Sequence, residues 1–319
     1  MRRLLLLVSL TLCAAMASLP AAARYPDKPI RLIVPTTAGG PADSSARLLA
    51  QELAKSIGQP VIVENKPGAG GAIAVQALQG APADGYTVLF GFGSLAGLPL
   101  LHKSPPFRSL GELTPVSIIA SFSLGIFVSP SVPANSVAEF ITYGRANPGK
   151  LNYGTATLAE YMAAVQFCKA TGIRALRVPY KGISQLMPDL LSGRIQFLLG
   201  PVPGGLHHVQ AGKLRMLAIV APRRSALAPN VPTLAEAGVA AVSLPTWQAI
   251  FAPAGTPAAI ADRLSQEIAS VLRVPSLREQ FEQQGLEAEG STPEALAAAV
   301  AQAQQAWLVF VREYEIPAE

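Results

Sequence analysis

The sequence predicts an α/β fold of two lobes joined by two crossings, and three observations carry that reading. Strand and helix alternate in β-α-β-α-β order from Ile30 to Phe90, which argues for a mostly parallel sheet with helices on its faces. A second block from near Ser121 repeats the alternation without repeating the sequence. After Pro245 the chain returns to one strand and then helices. If these pack back on the first block, the chain crosses between lobes near Ala120–Gly125 and Val239–Thr246. The lobes expected are 24–122 with 243–319, and 123–242, and hinge motion at the crossings would close them as a clamp.

The elements follow from local signals. Met1-Arg2-Arg3, the apolar run Leu4–Leu19 and the small-residue exit Pro20-Ala21-Ala22-Ala23 read as a secretory signal peptide, residues 1–23, cleaved after Ala23. The run is short of the roughly 20 residues that a spanning helix needs. Ile30–Val34 is the first strand. Ser44–Ile57 is an amphipathic helix with Ala46, Leu49, Ala50, Leu53 and Ile57 on one face and Gly58 as its stop. Val61–Val63, the helix Ala72–Leu78 and Tyr86–Phe90 complete the first unit. In the second, Ile126–Val128, Leu176–Val178, Ile195–Leu199 and Leu214–Ile219 read as strands. Ser136–Glu139 and Thr157–Glu160 are capping boxes that start helices, and Ser184–Ser192 is a helical stretch broken by proline. Trp247–Phe251 is the return strand. Thr256-Pro257 caps a helix to about Arg273, and two more follow near Ser276–Gln284 and Pro293–Glu313.

Composition narrows the function classes. The formal charge is +5 over 319 residues, and it falls to +3 once Arg2 and Arg3 leave with the signal. The basic residues that remain are scattered, apart from Arg223-Arg224, so no clustered basic face for nucleic acid is expected. Cys168 is the single cysteine of the mature chain, so an exported fold must rest on its core, and its apolar helical setting predicts a buried thiol. No Gly-x-Ser-x-Gly elbow and no His-Glu-x-x-His is present, and three histidines leave little for acid–base work. An enzyme is therefore not expected. The adjacent His207-His208 pair lacks a third ligand, so neither a metal nor another cofactor is expected.

The clearest site signal is the turn Thr36–Asp43 between the first strand and its helix. A glycine turn at a helix N-terminus can present N–H groups to an anion, and Ala38, Gly39 and Gly40 supply them here. The helix dipole adds roughly 0.3–1 kcal/mol. Asp43 is expected to cap the helix or brace the loop. Gly93-Ser94-Leu95, at the C-terminal end of the third strand, is a second expected contact. The run Pro67–Gly71 lacks the ending of a phosphate loop and reads as a tight turn near the cleft.

Eight segments, Tyr25-Pro26-x-Lys28-Pro29-Ile30-Arg31, Gly39-Gly40-x-x-Asp43, Glu64–Gly71, Ala83–Thr87, Val178–Gly182, Ala211–Arg215, Val231-Pro232-Thr233 and Ala252–Pro257, carry a further signal. Together they resemble the Bug receptors, the extracytoplasmic solute-binding proteins of tripartite tricarboxylate transporters. The resemblance covers essentially the whole mature chain, with the motifs in the family's order. It implies a periplasmic-binding fold of the second type (a Venus flytrap) and a periplasmic location. It also implies a small organic acid held between the lobes and delivered to membrane permease subunits. A monomer is expected. A receptor whose closure is read by a membrane sensor instead of a permease is the alternative. The family's ligand loop matches Thr36–Asp43, so Thr37 joins Ala38, Gly39, Gly40 and Asp43 among the expected contacts. Ser94 and Leu95, and Trp247 at the return crossing, complete lobe one; Trp247 would either stack on the ligand or pack inside.

Lobe two departs from the family. After Asn152-Tyr153-Gly154 the family has a small-residue loop and then a His. Here the loop is Thr155-Ala156-Thr157, and Met162 falls where the His would be. Thr155, Ala156 and Thr157 are expected to offer hydroxyls and helix N-terminal N–H groups, while Glu160, tied to the Thr157 backbone as its capping-box partner, adds negative charge in the first turn and should weaken binding of a second carboxylate there. Gly200 stands where many relatives carry an Asp. The expectation is a ligand with one carboxylate gripped by lobe one and a more apolar remainder against lobe two, although a drifted chain that binds nothing also fits these changes.

Overall fold

A computed structural model describes residues 25–221, 223–239, 242 and 244–318; the predicted signal peptide lies outside them. Strand β1 (Ile30–Val34) has four of its five side chains buried, the near-continuous apolar run of a strand covered on both faces. Helix α1 (Pro41–Ile57) follows, stopped by Gly58 at φ 69°. Then come β2 (Val61–Asn65), α2 (Ala72–Gln79) and β3 (Thr87–Phe92). β1 lies between β2 and β3 and is parallel to both, as the alternation predicts. A 3-10 segment, Gly93–Leu101, leads to β4 (Thr114–Phe122).

The second unit contains β5 (Leu124–Val128), α3 (Val137–Ala146), β6 (Leu151–Thr155), α4 (Leu158–Thr171), β7 (Ala175–Pro179), α5 (Ile183–Ser192), β8 (Phe197–Pro201), α6 (Val202–Gln210) and β9 (Arg215–Val220). Its five strands form one sheet in the order β7-β6-β8-β5-β9. The chain then returns through β10 (Trp247–Ala252), α7 (Ala258–Val271), α8 (Pro275–Gln283), β11 (Leu286–Ala288) and α9 (Pro293–Glu313). β10 and β11 complete a six-stranded sheet, β11-β4-β10-β3-β1-β2. Two sheets, each with its own buried cluster, make the two lobes.

The first sheet is mixed rather than mostly parallel, because β10 runs antiparallel to both β3 and β4. β4 and β11 escape the sequence pattern. β4 carries Pro115 and is bulged against β10, which blurs its alternation, and β11 has three residues. Helix α6 hides in a run with Pro203, Gly204 and Gly205. α1 starts three residues earlier than its periodicity implies, because Pro41 suits the first helical position. α5 runs unbroken through Pro188, five residues after its first residue. Pro257, not Thr256, precedes α7, and the Thr256 hydroxyl instead donates to the Pro253 carbonyl at 2.8 Å.

Only Ser123 separates β4 from β5, and the return strand lies beside this crossing: the Phe122 N–H donates to the Thr246 carbonyl at 3.0 Å. The lobes also touch through α4. Leu158 and Met162 are buried in the first lobe's core, and Tyr161 meets Phe310 edge-on with ring centroids 6.3 Å apart. Met162 therefore packs between lobes.

Candidate functional site

A cavity of ≈ 50 Å³ lies between the lobes. Lobe one contributes Thr36, Thr37, Gly40, Pro41 and Ala42 from the start of α1, Phe92 and Ser94 from the end of β3, and Gln248 from β10. Gln284 and Leu286 close that side. Lobe two contributes Ala156, Thr157, Ala159 and Glu160 from the β6–α4 junction, with Gly182, Ile183, Pro201 and Pro203. Phe122 and Leu124 at the crossing form part of the wall. An apolar wall with a few polar groups is the usual construction of a small-molecule site.

The loop into α1 is held from below by Asp43, which is 3 % exposed. Its Oδ2 accepts the Gly39 N–H and Arg47 Nε, each at 2.9 Å. Its Oδ1 accepts Asn65 Nδ2 at 2.9 Å, and the same amide donates to the Thr36 carbonyl at 3.0 Å. Burial would raise the Asp43 pKa, but the bonds from Arg47, Gly39 and Asn65 outweigh it and hold the carboxyl below its ordinary range. Gly39 sits at φ +79°, a left-handed conformation that glycine takes without strain. Asp43 thus braces the loop, one of the two roles expected of it, and the Gly39 N–H expected for an anion is already committed to it.

The facing wall is organised by Glu160. Thr157 and Glu160 form a complete capping box at the start of α4. Glu160 Oε2 accepts the Thr157 N–H at 3.0 Å and also the Ala156 N–H. The donors that lobe two was expected to offer at Ala156 and Thr157 are therefore taken by a carboxylate of the same chain. Glu160 is 1 % exposed, and burial pushes its pKa up to about 7 against the opposing bonds from Ala156 and Thr157.

Of the residues singled out in the sequence, Thr37, Gly40, Ser94, Ala156 and Thr157 line the cavity. Ala38 and Gly39 are exposed outside its lining. Leu95 is buried in the first core beside Gly71. Thr155 is buried behind the wall, its hydroxyl accepting Arg177 Nε at 3.1 Å. Gly200 is paired with Gly125 inside the second sheet. Trp247 packs toward Phe251 and over Gly93. The glycine run Gly68–Gly71 faces Arg177 and Lys181 across an adjoining crevice. Cys168 is partly buried, and burial pushes its thiol up to about 12. Among the described residues, no group of three or more His, Cys, Asp or Glu is placed to hold a metal, and no helix is long and apolar enough to cross a membrane.

Sequence reasoning placed Thr36 in the site loop without singling it out as a contact, and it did not find Gln248 or Gln284. Their side chains, with Glu160, supply four buried polar atoms on this one cavity that lack hydrogen-bond partners: Thr36 Oγ1, Gln248 Oε1, Gln284 Oε1 and Glu160 Oε1. Buried polar groups are nearly always paired, so four around one cavity mark a place where a ligand completes the bonding.

Residues 45–314 match the model of the Tripartite tricarboxylate transporter family receptor. Protein BugT of Bordetella pertussis is 35% identical over 319 residues, covering 98% of each chain. The solved periplasmic binding protein BugD has a TM-score of 0.88 at 29% identity, covering 92% of this chain and all of its own. The R. palustris protein Rpa4515, solved with adipate, has a TM-score of 0.87 at 31% identity, over 91% of this chain and 98% of its own.

Proposed function

Because this chain belongs to the Bug family of tripartite tricarboxylate transporter receptors, we propose that it captures a small organic acid between its lobes in the periplasm and hands it to the membrane subunits of such a transporter. The observation that carries the reading is the set of four unpaired polar atoms on one interlobe cavity. In this reading the first turn of α1, with the N–H groups of Gly40 and Ala42, takes one carboxylate, since the opening N–H groups of a helix have no acceptor within it. Ser94 and Thr37 flank that end, and the apolar side chains Phe92, Phe122, Leu124 and Ile183 take the carbon skeleton. The segments 24–122 with 243–319 and 123–242 act as lobes hinged at the two crossings, and the protein works by binding, without chemistry on its ligand. Adipate held by a relative with 31% identity supports the carboxylate class.

Thermal unfolding of the purified protein against mono-, di- and tricarboxylates, amino acids and aromatic acids tests this. A ligand at about 100 times its Kd should stabilise the protein by about 2.7 kcal/mol, which is a readable rise in Tm. No shift with any acid, from protein shown by mass spectrometry to carry no ligand from its host, would sink the carboxylate reading. Delivery is tested separately, by loss of uptake of the identified acid in a deletion strain.

A further inference from the structure

We infer that Glu160 is the specificity-determining contact of the lobe-two wall, accepting through Oε1 a hydrogen bond from a hydroxyl or N–H group at the far end of a monocarboxylic acid. The inference rests on the carboxylate reading of the cavity given above. Glu160 lines the cavity, is almost fully buried, and leaves Oε1 without a partner. Its carboxyl cannot swing away, because Oε2 is fixed by the Ala156 and Thr157 N–H groups and the Thr157 hydroxyl accepts the Glu160 N–H. The free oxygen is therefore preorganised.

The wall around it is short of donors. The Ala156 and Thr157 N–H groups point at Glu160, and the Thr155 hydroxyl is engaged by Arg177. Among the described residues, Glu160 is the one charged residue lining the cavity. The nearest cations by sequence and fold, Arg177 and Lys181, line the adjoining crevice behind Thr155–Thr157, and the Arg177 guanidinium lies 4.1 Å from the Tyr161 ring centroid. On the lobe-one side Asp43 is tied to Arg47 beneath the loop. A second carboxylate on the ligand would thus face a carboxylate oxygen with no cation lining the cavity to offset the repulsion. A hydroxyl, amide or ammonium group would complete the bonding that the wall leaves open. The raised pKa of Glu160 accords with this, since a ligand donor can occupy the place that a proton otherwise takes.

The test is calorimetric titration of the purified protein at pH 8, where the carboxylate form of Glu160 is read. The probes are straight four- to six-carbon acids that end in a methyl, a hydroxyl, a carboxamide or a second carboxylate. Wild type should bind the hydroxyl or carboxamide form at least about tenfold more tightly than the dicarboxylate of equal length. The Glu160→Gln variant keeps a residue that suits the capping box and turns an amide N–H toward the cavity. Its preference should move at least about tenfold toward the dicarboxylate. Tighter binding of dicarboxylates by wild type overturns the inference. So does a Gln variant that changes all four classes by one common factor, which is what a structural role would give. Binding of all classes alike leaves the receptor reading standing and removes this one. Binding of no acid by either protein overturns the carboxylate reading, and this inference with it.

Discussion

Thr37 and Ser184 meet at 3.0 Å through their hydroxyls, joining the loop after β1 to the first turn of α5 across the gap between the lobes. Gly182 lies beside them, and a Cβ built there would overlap Thr37 Oγ1 and stand 3.2 Å from the Thr37 Cβ. Gly182 has φ −179°, extended backbone that alanine adopts freely, so only the contact matters. Gly182→Ala should prop the lobes apart. If the closed state falls to about a tenth of the population, apparent affinity for the acid falls about tenfold. A Thr37→Ala, Gly182→Ala double variant should recover the more compact radius of gyration in small-angle scattering. Wild-type affinity in the single variant would show that this contact does not govern closure.

Asp43 is a support for the anion loop, and its substitution should read out in stability and affinity together. Asp43→Asn loses the charge-assisted bond from Arg47 and cannot accept from every present partner. The expected cost is about 2 kcal/mol in urea unfolding. The Asp43 pKa lies below its ordinary 3.8, so the stability it supplies is present above about pH 4 and is lost as pH falls through its lowered native value. The variant should show a shallower acid limb than wild type. An acid limb unchanged by the substitution would argue against the brace.

What was legible in the sequence was local. The opening β-α-β-α-β order, the Thr157–Glu160 box and the span Pro293–Glu313 rest on spacing and capping within a few residues, and each recurs in the fold. The site was legible only where a loop carries it. Thr37, Gly40 and Ser94 sit at strand ends, where α/β folds gather ligand contacts. Gln248 lies on a strand buried on both faces, so alternation could not say which way it points. Gln284 reaches the cavity from between α8 and the three-residue β11, a junction without a sequence signal. The N–H groups expected at Gly39 and Ala156 were misassigned for one reason. A carboxylate four residues later had already claimed each of them, and spacing shows a possible bond but not which partner wins.

Gly97 offers a packing test away from the lobe gap. A Cβ at this position would overlap the indole of Trp307, which is fully buried and anchors α9 against the Gly93–Leu101 segment. Overpacking a filled core typically costs about 1–3 kcal/mol, so Gly97→Ala should lower stability by about 2 kcal/mol. Adding Trp307→Phe, which vacates part of the overlap, should cost less than the sum of the two single changes. Strict additivity in denaturant unfolding would show that the two residues do not share the space.

Glu160 should also make stability depend on pH in the direction opposite to Asp43. Its native pKa is raised to about 7 from an ordinary 4.5, so the unfolded chain releases this proton more readily than the folded one. Below about pH 4.5 both states hold the proton and there is no penalty. As pH rises toward 7 the unfolded state gains by ionising, and folding loses up to about 3 kcal/mol from this group. Glu160→Gln does not titrate and preserves the capping box. Relative to wild type, the variant should therefore gain about 3 kcal/mol between pH 4 and pH 8 in urea unfolding, with most of the change between pH 5 and 7. A difference between the two proteins that stays flat across that window would mean that Glu160 is ionised in the folded state at little cost. A bound monocarboxylic acid with a hydroxyl or amide end should flatten the same difference, because its donor would stabilise the ionised carboxylate that burial otherwise penalises.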